Sequence, residues 1–220
     1  MLNMNFNDKV IINTHLMEWQ ASPMAGVWRK PLAREAAEHG HTTSVVHFEP
    51  GSYFSPHTHP MGEEILVLEG TFSDEHGDYH AGSYLRHPPG SRHKPFSKEG
   101  CVILVKLDQF EADDSVTLRL DTNRNGWLAG EDEIEIMPLH EHGFETVVLE
   151  KWPAGAKSRP HIHFGGEEIF IVSGQLFDEF GEYPTGTWVR NPHDSEHSPY
   201  VAEEALLWVK SGHLPTRSTA

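Results

Sequence analysis

Short apolar stretches alternate with turn residues along the whole chain. Five stretches rich in branched or aromatic residues have the length of β-strands, at positions 65–68, 101–106, 146–150, 168–172 and 205–210. The chain also has 19 glycines and 15 prolines, residue types that favour turns. Many short strands separated by turns predict an all-β sandwich or barrel. The only helix expected is a short one at 32–38.

The second half of the chain repeats the first. His57-Thr58-His59 recurs 104 positions later as His161-Ile162-His163, and the register holds without a gap as far as Lys106 and Lys210. The matched residues include glycines, Asp74 with Asp178, Tyr79 with Tyr183, and Arg86 with Arg190. A duplication of this kind predicts two similar domains. We expect an N-terminal barrel at 1–110 and a C-terminal barrel at 111–220.

Histidine is abundant, with 17 residues, and its spacing indicates a metal site in each repeat. Residues i and i+2 of a strand face the same side, so His57 and His59 can both face a barrel interior. Glu63 has the same parity and follows a bend, and His93 arrives from a later strand. Buried together without a cation these groups would be costly, whereas one divalent ion could bind all four at about 2.0–2.2 Å.

The same argument applies to the second repeat, with His161, His163, Glu167 and His197 at identical spacings. The sequence therefore predicts two divalent metal ions per chain. Zinc or iron is expected, and manganese or nickel would also suit these ligands.

These spacings match the two motifs of the cupin superfamily, which the chain resembles over nearly its whole length. The resemblance implies two tandem jelly-roll barrels (double-stranded β-helices). It assigns metal binding to His57, His59, Glu63 and His93 in one barrel and to His161, His163, Glu167 and His197 in the other. Asp194 replaces the motif glycine Gly90, which affects a turn rather than a ligand.

A closer resemblance is to the cupin domain of ChrR-type anti-sigma factors. It is carried by the stretches at 26–32, 57–70 and 86–93, which read GVWRKPL, HTHPMGEEILVLEG and RHPPGSRH. That group includes zinc-binding regulators of the response to singlet oxygen and organic peroxides. Those regulators hold the sigma factor through a helical zinc domain with two cysteine ligands. With a single cysteine, this chain is not expected to bind a sigma factor tightly by itself.

Other residues shared by the repeats have structural interpretations. Glu64 and Glu168 have the opposite parity to the ligands, and we expect them to be solvated or at an interface. Arg86 and Arg190 are expected to form ion pairs with these glutamates rather than to hold a substrate. Cys101 opens an apolar stretch and is expected to be a buried, inert thiol. The histidines without a recurring ligand spacing are expected on the surface or around the sites; they include His39, His41, His76, His80, His87, His140 and His142.

Charge and hydropathy limit the partners. The net charge is −16, the opposite of what nucleic acids or anionic membranes attract. The chain has no apolar stretch long enough to span a membrane and does not begin like a signal peptide. We therefore expect a cytoplasmic protein that binds a small molecule. Cupin barrels commonly pair, so a homodimer or an intramolecular pair of barrels is also expected.

Three functions are compatible with these observations. The first is a metal-dependent enzyme of dioxygenase type, acting on a β-diketone or a catechol-like compound; sugar isomerisation is a further possibility. The second is a non-catalytic zinc sensor related to ChrR, and the third is a structural or storage barrel. The walls of the two sites also differ in sequence. Where the first repeat has Tyr53 and Ser55, the second has Lys157 and Arg159, which predicts that the second site binds anions better.

Overall fold

The computed structural model describes residues 1–37 and 39–216, and it divides the chain into two compact units. Unit 1 contains residues 1–4 and 17–125, and unit 2 contains residues 5–16 together with the chain from residue 126 onward. Both units are built almost entirely from strands, so the all-β prediction is confirmed. No helix among the described residues is long and apolar enough to cross a membrane.

In the described part of the chain, the regular structure consists of twenty-one strands and two short 3₁₀ helices, at Thr14–Leu16 and Thr122–Arg124. The strands are β1 (Val10–Asn13), β2 (Gln20–Ala21), β3 (Val27–Arg34), β4 (Thr42–Phe48), β5 (His57–His59), β6 (Glu63–Asp74), β7 (Gly77–His80), β8 (Ser83–His87), β9 (Ser91–His93), β10 (Cys101–Leu107), β11 (Leu118–Asp121), β12 (Leu128–Ala129), β13 (Glu135–His142), β14 (Glu145–Trp152), β15 (His161–Ile162), β16 (Glu167–Ser173), β17 (Gln175–Asp178), β18 (Gly181–Pro184), β19 (Thr187–Asn191), β20 (Glu196–His197) and β21 (Ala205–Ser211).

The main sheet of unit 1 has the strand order β11-β8-β6-β10-β4-β3-β2, with β7 paired to β6. A separate two-stranded ribbon joins β5 to β9. Branched and aromatic side chains alternate along these strands and form one core, since alternate residues face the same side of a sheet. The core contains Val27, Val46, Phe48, Ile65, Val67, Phe72, Leu85, Cys101, Ile103 and Val105.

Unit 2 repeats this topology. Its main sheet has the order β1-β19-β16-β21-β14-β13-β12, with ribbons β15–β20 and β17–β18. Its core contains Ile134, Trp152, Ala156, Ile169, Ile171, Leu176, Tyr183, Val189, Val201, Ala205, Leu207 and Val209. Each strand of one main sheet has a counterpart at the same place in the other sheet. The internal repeat in the sequence is therefore a repeat of the fold.

The first strand of each repeat belongs to the unit formed mainly by the other repeat. Strand β1 pairs with β19 in unit 2, and β11 pairs with β8 in unit 1. Two threonines hold these strands in equivalent ways: Thr14 Oγ1 donates to the Gly186 carbonyl at 2.7 Å, and Thr122 Oγ1 donates to the Gly82 carbonyl at 2.5 Å. The compact units thus differ from the expected halves 1–110 and 111–220 in these two segments.

The predicted helix at 32–38 is wrong. Strand β3 continues through Arg34, and residues 35–37 are bends, while Glu38 lies outside the described residues. Strand β3 is held along its length by β4, whose partners run from Phe48 to Thr42. Pairing with a central strand thus overrides the weak helix propensity of a short Ala- and Glu-rich stretch.

Candidate metal centres

A two-stranded ribbon in each unit brings distant histidines together. In unit 1, β5 pairs antiparallel with β9 and places His57 opposite His93. In unit 2, β15 pairs with β20 and places His161 opposite His197. The glutamate of each repeat begins the long strand that follows, at Glu63 in β6 and at Glu167 in β16. The eight predicted residues therefore form two clusters, named here site 1 (His57, His59, Glu63, His93) and site 2 (His161, His163, Glu167, His197).

Site 1 has the dimensions of a metal shell. Glu63 Oε2 lies 3.5 Å from His59 Nε2 and 3.3 Å from His93 Nε2. The three imidazole ring centroids are 4.7–5.2 Å apart, and one ligand atom from each residue lies within 4.8 Å of the others. Two ligands bonded to one ion at about 2.0–2.2 Å are themselves roughly 3.0–3.5 Å apart. The residues of site 1 could therefore hold one divalent ion with little rearrangement.

Site 2 has the same four residue types, with slightly longer distances between the glutamate and the histidines and with Nδ1 of His163 nearest the carboxylate. Glu167 Oε1 lies 3.6 Å from His163 Nδ1, and Glu167 Oε2 lies 3.7 Å from His197 Nε2. The three ring centroids are 4.8–4.9 Å apart. Its residues could also hold a divalent ion.

Buried nitrogen atoms without partners support the fit to a metal. Within the described residues, Nε2 of His59, His93 and His163 is buried and makes no hydrogen bond. Such atoms are costly unless something occupies the space between them. Burial lowers the pKa of His59 to about 4, against the opposing charge of Glu63. Burial and the neighbouring His197 lower the pKa of His163 to about 3. These imidazoles are thus neutral at neutral pH and have a lone pair available for an ion.

The outermost histidine of each site is fixed by a backbone carbonyl. His57 Nδ1 lies 2.9 Å from the Ser55 carbonyl oxygen, and His161 Nδ1 lies 2.8 Å from that of Arg159. Because a carbonyl only accepts hydrogen bonds, Nδ1 is the protonated nitrogen and Nε2 is free to bind a metal.

Two aspartates that the sequence analysis left without a role lie beside the last histidine of each site. Asp178 Oδ2 is within hydrogen-bond distance of His197 Nδ1, at 3.2 Å, and Asp74 Oδ2 lies near His93 Nδ1, at 3.7 Å. A tyrosine hydroxyl donates to each carboxylate, from Tyr183 at 2.5 Å and from Tyr79 at 3.1 Å. Carboxylate partners of this kind orient metal-binding imidazoles. Both pairs occur among the repeat identities, and this was the signal that could have revealed them.

A third group of possible ligands lies behind site 1. Asp74, His87 and His93 each offer a ligand atom within 4.8 Å of the others, and all three are buried. His93 also belongs to site 1. We therefore assign His87, together with Asp74, to the surroundings of site 1, as the sequence predicted for histidines outside the ligand set.

The two site glutamates have different neighbours. Glu63 Oε2 lies 2.8 Å from His87 Nδ1, whereas Glu167 Oε2 accepts a hydrogen bond from Asn191 Nδ2 at 3.0 Å. Burial alone would raise the pKa of Glu63, but the charges of His59 and His93 and the hydrogen bond from His87 hold it well below its usual range. For Glu167, burial and the charge of Glu150 raise the pKa to about 8, against the Asn191 hydrogen bond.

The cavities beside the two sites differ in size and polarity. A cavity of about 490 Å³ reaches His57, His59 and Glu63, and most of its wall is apolar. The wall residues used below are Arg29, Arg34, Thr42, Val46, Phe48, Phe54, Phe72, Ile103, Leu107 and Asp108. The pocket beside site 2 measures about 170 Å³, and its wall includes the carboxylates of Glu131, Asp132 and Glu150.

The expected cationic wall of site 2 is therefore wrong. Neither Lys157 nor Arg159 is among the described residues that line the pocket. The Arg159 guanidinium lies 3.4 Å from Asp132 Oδ1, so a carboxylate of the pocket wall neutralises it. The alternation of side-chain directions along a strand does not apply to residues 157–160, because they lie before β15 and outside any strand.

The remaining shared residues have structural roles. The prediction that Arg86 pairs with Glu64 is confirmed, with Nη1 and Oε1 3.5 Å apart, and Asp114 adds a second carboxylate at 2.5 Å. The expectation that Glu64 and Glu168 are solvated is wrong, since both are buried. They lie on the faces of β6 and β16 that point away from the metal ligands. Tyr84 and Trp188 donate to them at 2.6 and 3.2 Å.

Two further details agree with the sequence analysis. Cys101 is buried, and burial raises the pKa of its thiol to about 11, so the prediction of a buried thiol is confirmed. Asp194, which replaces Gly90, adopts the same left-handed conformation, with φ of 60° against 80° for the glycine. The turn hydrogen bond is also retained, from Asp194 N to the His163 carbonyl at 3.1 Å and from Gly90 N to the His59 carbonyl at 2.8 Å.

Two β-units of the same topology, each with a cluster of three histidines and one glutamate, define a protein of the two-domain cupin class. The sequence matches the model of the ChrR cupin-like domain twice, over residues 7–111 and 115–215. The chain therefore belongs to this family, and the predicted resemblance is confirmed. No curated protein compared with the chain is significantly similar to it.

Solved structures share the fold at low sequence identity. A candidate dioxygenase of Nostoc punctiforme is 16% identical, with a TM-score of 0.78, over 97% of this chain and 85% of that one. Bacterial pirin YhhW of Escherichia coli, solved in complex with nickel(II), is 14% identical, with a TM-score of 0.71, over 96% and 100%. The oxalate decarboxylase of Lactobacillus farciminis, solved as a formate complex, is 13% identical, with a TM-score of 0.66, over 93% and 86%. At these identities the similarity shows the fold alone.

Proposed function

We propose that the protein is a metal-dependent enzyme that acts on a small organic molecule at site 1, with chemistry of the dioxygenase type. The observation that carries the proposal is the apolar cavity of about 490 Å³ that reaches His57, His59 and Glu63. Its volume lies within the roughly 300–1,000 Å³ typical of small-molecule sites, and such sites combine apolar walls with a few polar groups. A site that only held a structural ion would have no need of such a cavity.

The residues of site 1 suit this role. His57, His59, Glu63 and His93 would hold the metal, and Asp74 would keep His93 in the required orientation. A bound Fe(II) ion would supply redox capacity and open coordination positions beside its histidine and carboxylate ligands. Zinc, manganese and nickel are compatible with the same donors. Phe48, Phe54 and Phe72 line the cavity and would exclude water from the reacting groups.

Site 2 favours a second candidate function for unit 2, a non-catalytic metal site of the sensor or structural type. Its pocket of about 170 Å³ is smaller than the roughly 300 Å³ at which small-molecule sites begin. Three carboxylates besides Glu167 line it, which would stabilise a bound cation and oppose an anionic substrate. We therefore propose that zinc or another divalent ion in site 2 stabilises unit 2 without turnover.

Oxygen uptake by the iron-loaded full chain tests the proposal. The protein is prepared without a histidine tag, loaded with Fe(II) without air, and mixed with β-diketones and catechol-type compounds. We expect substrate-dependent uptake that falls about 100-fold or more in the His59→Ala variant, because a ligand of the reacting ion is lost.

The matched control is His163→Ala, which should keep most of the oxygen uptake. Metal analysis of all three proteins accompanies the assay. A metal content near zero in the wild-type protein would refute the proposal. Equal loss of oxygen uptake in both variants would show that the chemistry is not confined to site 1.

A further inference from the structure

Two arginines face the cavity of unit 1. Arg29 and Arg34 both lie on β3 and both line the cavity wall. They are an odd number of positions apart, so they would face opposite sides of a regular strand. The register of β3 against β4 shifts between Pro31 and Ala33. A β-bulge of this kind adds one residue and reverses the alternation beyond it, which turns both arginines toward the cavity.

The sheet register places Arg34 at the level of the metal ligands. Arg34 pairs with Thr42, Thr42 with Leu107, and Leu107 with Glu63. All four residues of this row line the cavity. Neighbouring strands are about 4.8 Å apart, so the Cα atoms of Arg34 and Glu63 are roughly 14 Å apart along the sheet. Side chains stand roughly perpendicular to a sheet, so this lateral separation leaves room for a small organic molecule between the guanidinium and the residues of site 1.

Aromatic side chains line the cavity between the arginines and the residues of site 1. The Arg29 guanidinium lies 5.9 Å from the centre of the Phe54 ring, and Phe54 contacts the His57 ring at 5.8 Å between centroids. Phe48 packs edge-on against Phe54 at 5.7 Å and against Phe72 at 5.8 Å. The cavity thus has cations on one strand, an aromatic wall, and metal ligands at the other end.

The Arg34 guanidinium is available to a ligand. Among the described residues it makes no hydrogen bond or ion pair, whereas Arg29 has further contacts. Among the described residues, the one carboxylate besides Glu63 that lines the cavity is Asp108, and it is already engaged. Its two oxygens accept backbone hydrogen bonds from Met61 at 2.9 Å and from Gly40 at 3.2 Å.

Unit 2 lacks this arrangement. Ile136 takes the place of Arg29 and pairs with Glu150, where Arg29 pairs with Val46. Glu141 takes the place of Arg34 and pairs with Thr146, where Arg34 pairs with Thr42. The exchange of two arginines for an isoleucine and a glutamate makes the two cationic groups specific to the larger cavity. In a chain with a net charge of −16, the two arginines give the wall of this cavity a local positive charge.

We propose that the cavity of unit 1 binds an organic carboxylate with an aromatic or branched aliphatic body, and that Arg34 is the residue that selects for the carboxylate. This inference rests on the proposed function of site 1 and names the substrate class. The Arg34 guanidinium binds the carboxylate through two parallel hydrogen bonds, and Arg29 adds a second charge. The body of the ligand packs against Phe48, Phe54 and Phe72, which places its other end at the metal ligands.

Calorimetric titration of the zinc-loaded full chain tests the inference without turnover. The probes are 3-phenylpropanoate and its neutral analogue 3-phenylpropanamide, which have the same shape. We expect the carboxylate to bind about 10- to 100-fold more tightly than the amide, as charge-assisted hydrogen bonds provide. Arg34→Gln should remove most of this preference, and Arg34→Lys should retain part of it because it keeps the charge. Arg29→Ile, which introduces the residue of unit 2, should have a smaller effect.

Arg159→Gln is the matched control, since it removes an exposed arginine beside site 2 and should leave the preference unchanged. Metal content and the thermal melt of each variant report on folding. Equal binding of the two probes, no binding of either, or an unchanged preference in a folded Arg34→Gln protein would overturn the inference. Carboxylate binding that depends on Arg34 but no oxygen uptake would leave the inference standing and refute the proposed enzyme function. Oxygen uptake with neutral compounds only would support the proposed enzyme function and refute the inference about the carboxylate.

Discussion

In unit 1 the site glutamate lies against His87, and in unit 2 its counterpart lies against Asn191. Further along the sheet, Val46 faces the first cavity where the half-buried Glu150 faces the second. The two repeats thus share the candidate metal ligands and differ in the residues around them. Two clusters with the same four residue types therefore differ in the ionisation of their glutamates, in the volume of the adjoining cavity and in the charge of the cavity wall. The comparison shows that the ligand set predicts a metal, whereas the wall decides what else can bind.

The largest expected loss of stability follows removal of a buried arginine, and it is expected in both units. Arg86 contacts two carboxylates, Glu64 and Asp114, and Arg190 is also close to two, those of Glu168 and Asp8. Loss of one partner from a buried ion pair costs about 3–5 kcal/mol. We expect Arg86→Ala and Arg190→Ala each to lower the free energy of unfolding by this amount, because each leaves a buried glutamate, Glu64 or Glu168, without its arginine. Urea denaturation of both variants measures the losses, and an unchanged stability of either variant would contradict the expectation.

Metal removal is the next most informative perturbation. We expect about two divalent ions per chain, and one fewer in both the His59→Ala and the His163→Ala variant, since each ligand set lies within one unit. At an ion concentration of about 1,000 times Kd, binding to the native state adds roughly 4 kcal/mol of stability to the unit concerned. Metal analysis and thermal melting with and without a chelator check this. Loss of both ions in either single variant would show that the sites are coupled.

The site glutamates predict opposite effects of pH on the metal-free protein. The native pKa of Glu167 is raised to about 8. Between about pH 4.5 and pH 8, the carboxyl group is therefore ionised in the unfolded chain but protonated in the native one. Unit 2 loses stability as the pH rises through this range. The native pKa of Glu63 is lowered, so its contribution is present above about pH 4.5 and is lost as the pH falls further.

Glutamine substitutions isolate these contributions. Relative to the wild type, we expect Glu167→Gln to gain stability as the pH rises from 5 to 8, and Glu63→Gln to lose stability near neutral pH. Urea midpoints of the chelator-treated proteins across this pH range measure both trends. The same sign for the two variants would mean that the charged neighbours, His59 and His93 for Glu63 and Glu150 for Glu167, do not control the ionisation of these carboxylates.

The smallest expected effect concerns Cys101, for which unit 2 has Ala205. Both residues are buried at the start of equivalent strands. We expect Cys101→Ala to cost about 1 kcal/mol, the scale of one small core group, and to leave metal content unchanged. Because burial raises the thiol pKa to about 11, a thiol reagent at pH 8 should modify the native protein far more slowly than the unfolded one. Rapid modification of the native chain would contradict this.

Local spacing was sufficient to predict much of the fold and of the candidate site. The histidines and the glutamate of each motif are close in sequence, and alternate residues of a strand point to the same side of the sheet. The direction of these side chains could therefore be predicted from their spacing. The predictions failed where the partner strand mattered. The chain continues as a strand through Arg34 because β4 pairs with Ala33 and Arg34, and Glu64 is buried because Tyr84 and Arg86 cover its carboxylate. The direction of the Arg159 side chain could not be predicted from strand alternation, because residues 157–160 belong to no strand.

The sequence by itself determined that the chain is a duplicated all-β protein of the ChrR cupin-like family, and it identified eight residues that come together as two possible metal centres. These features are encoded in short motifs and in a constant register between the repeats. Only the tertiary structure decided the neighbours of those centres. A bulge in β3 turned Arg34 into the larger cavity, pairing of β14 placed Glu150 in the smaller one, and folding brought His87 onto Glu63. The physical reason is that side chains meet across paired strands and through the barrel interior, and these contacts join residues far apart in sequence.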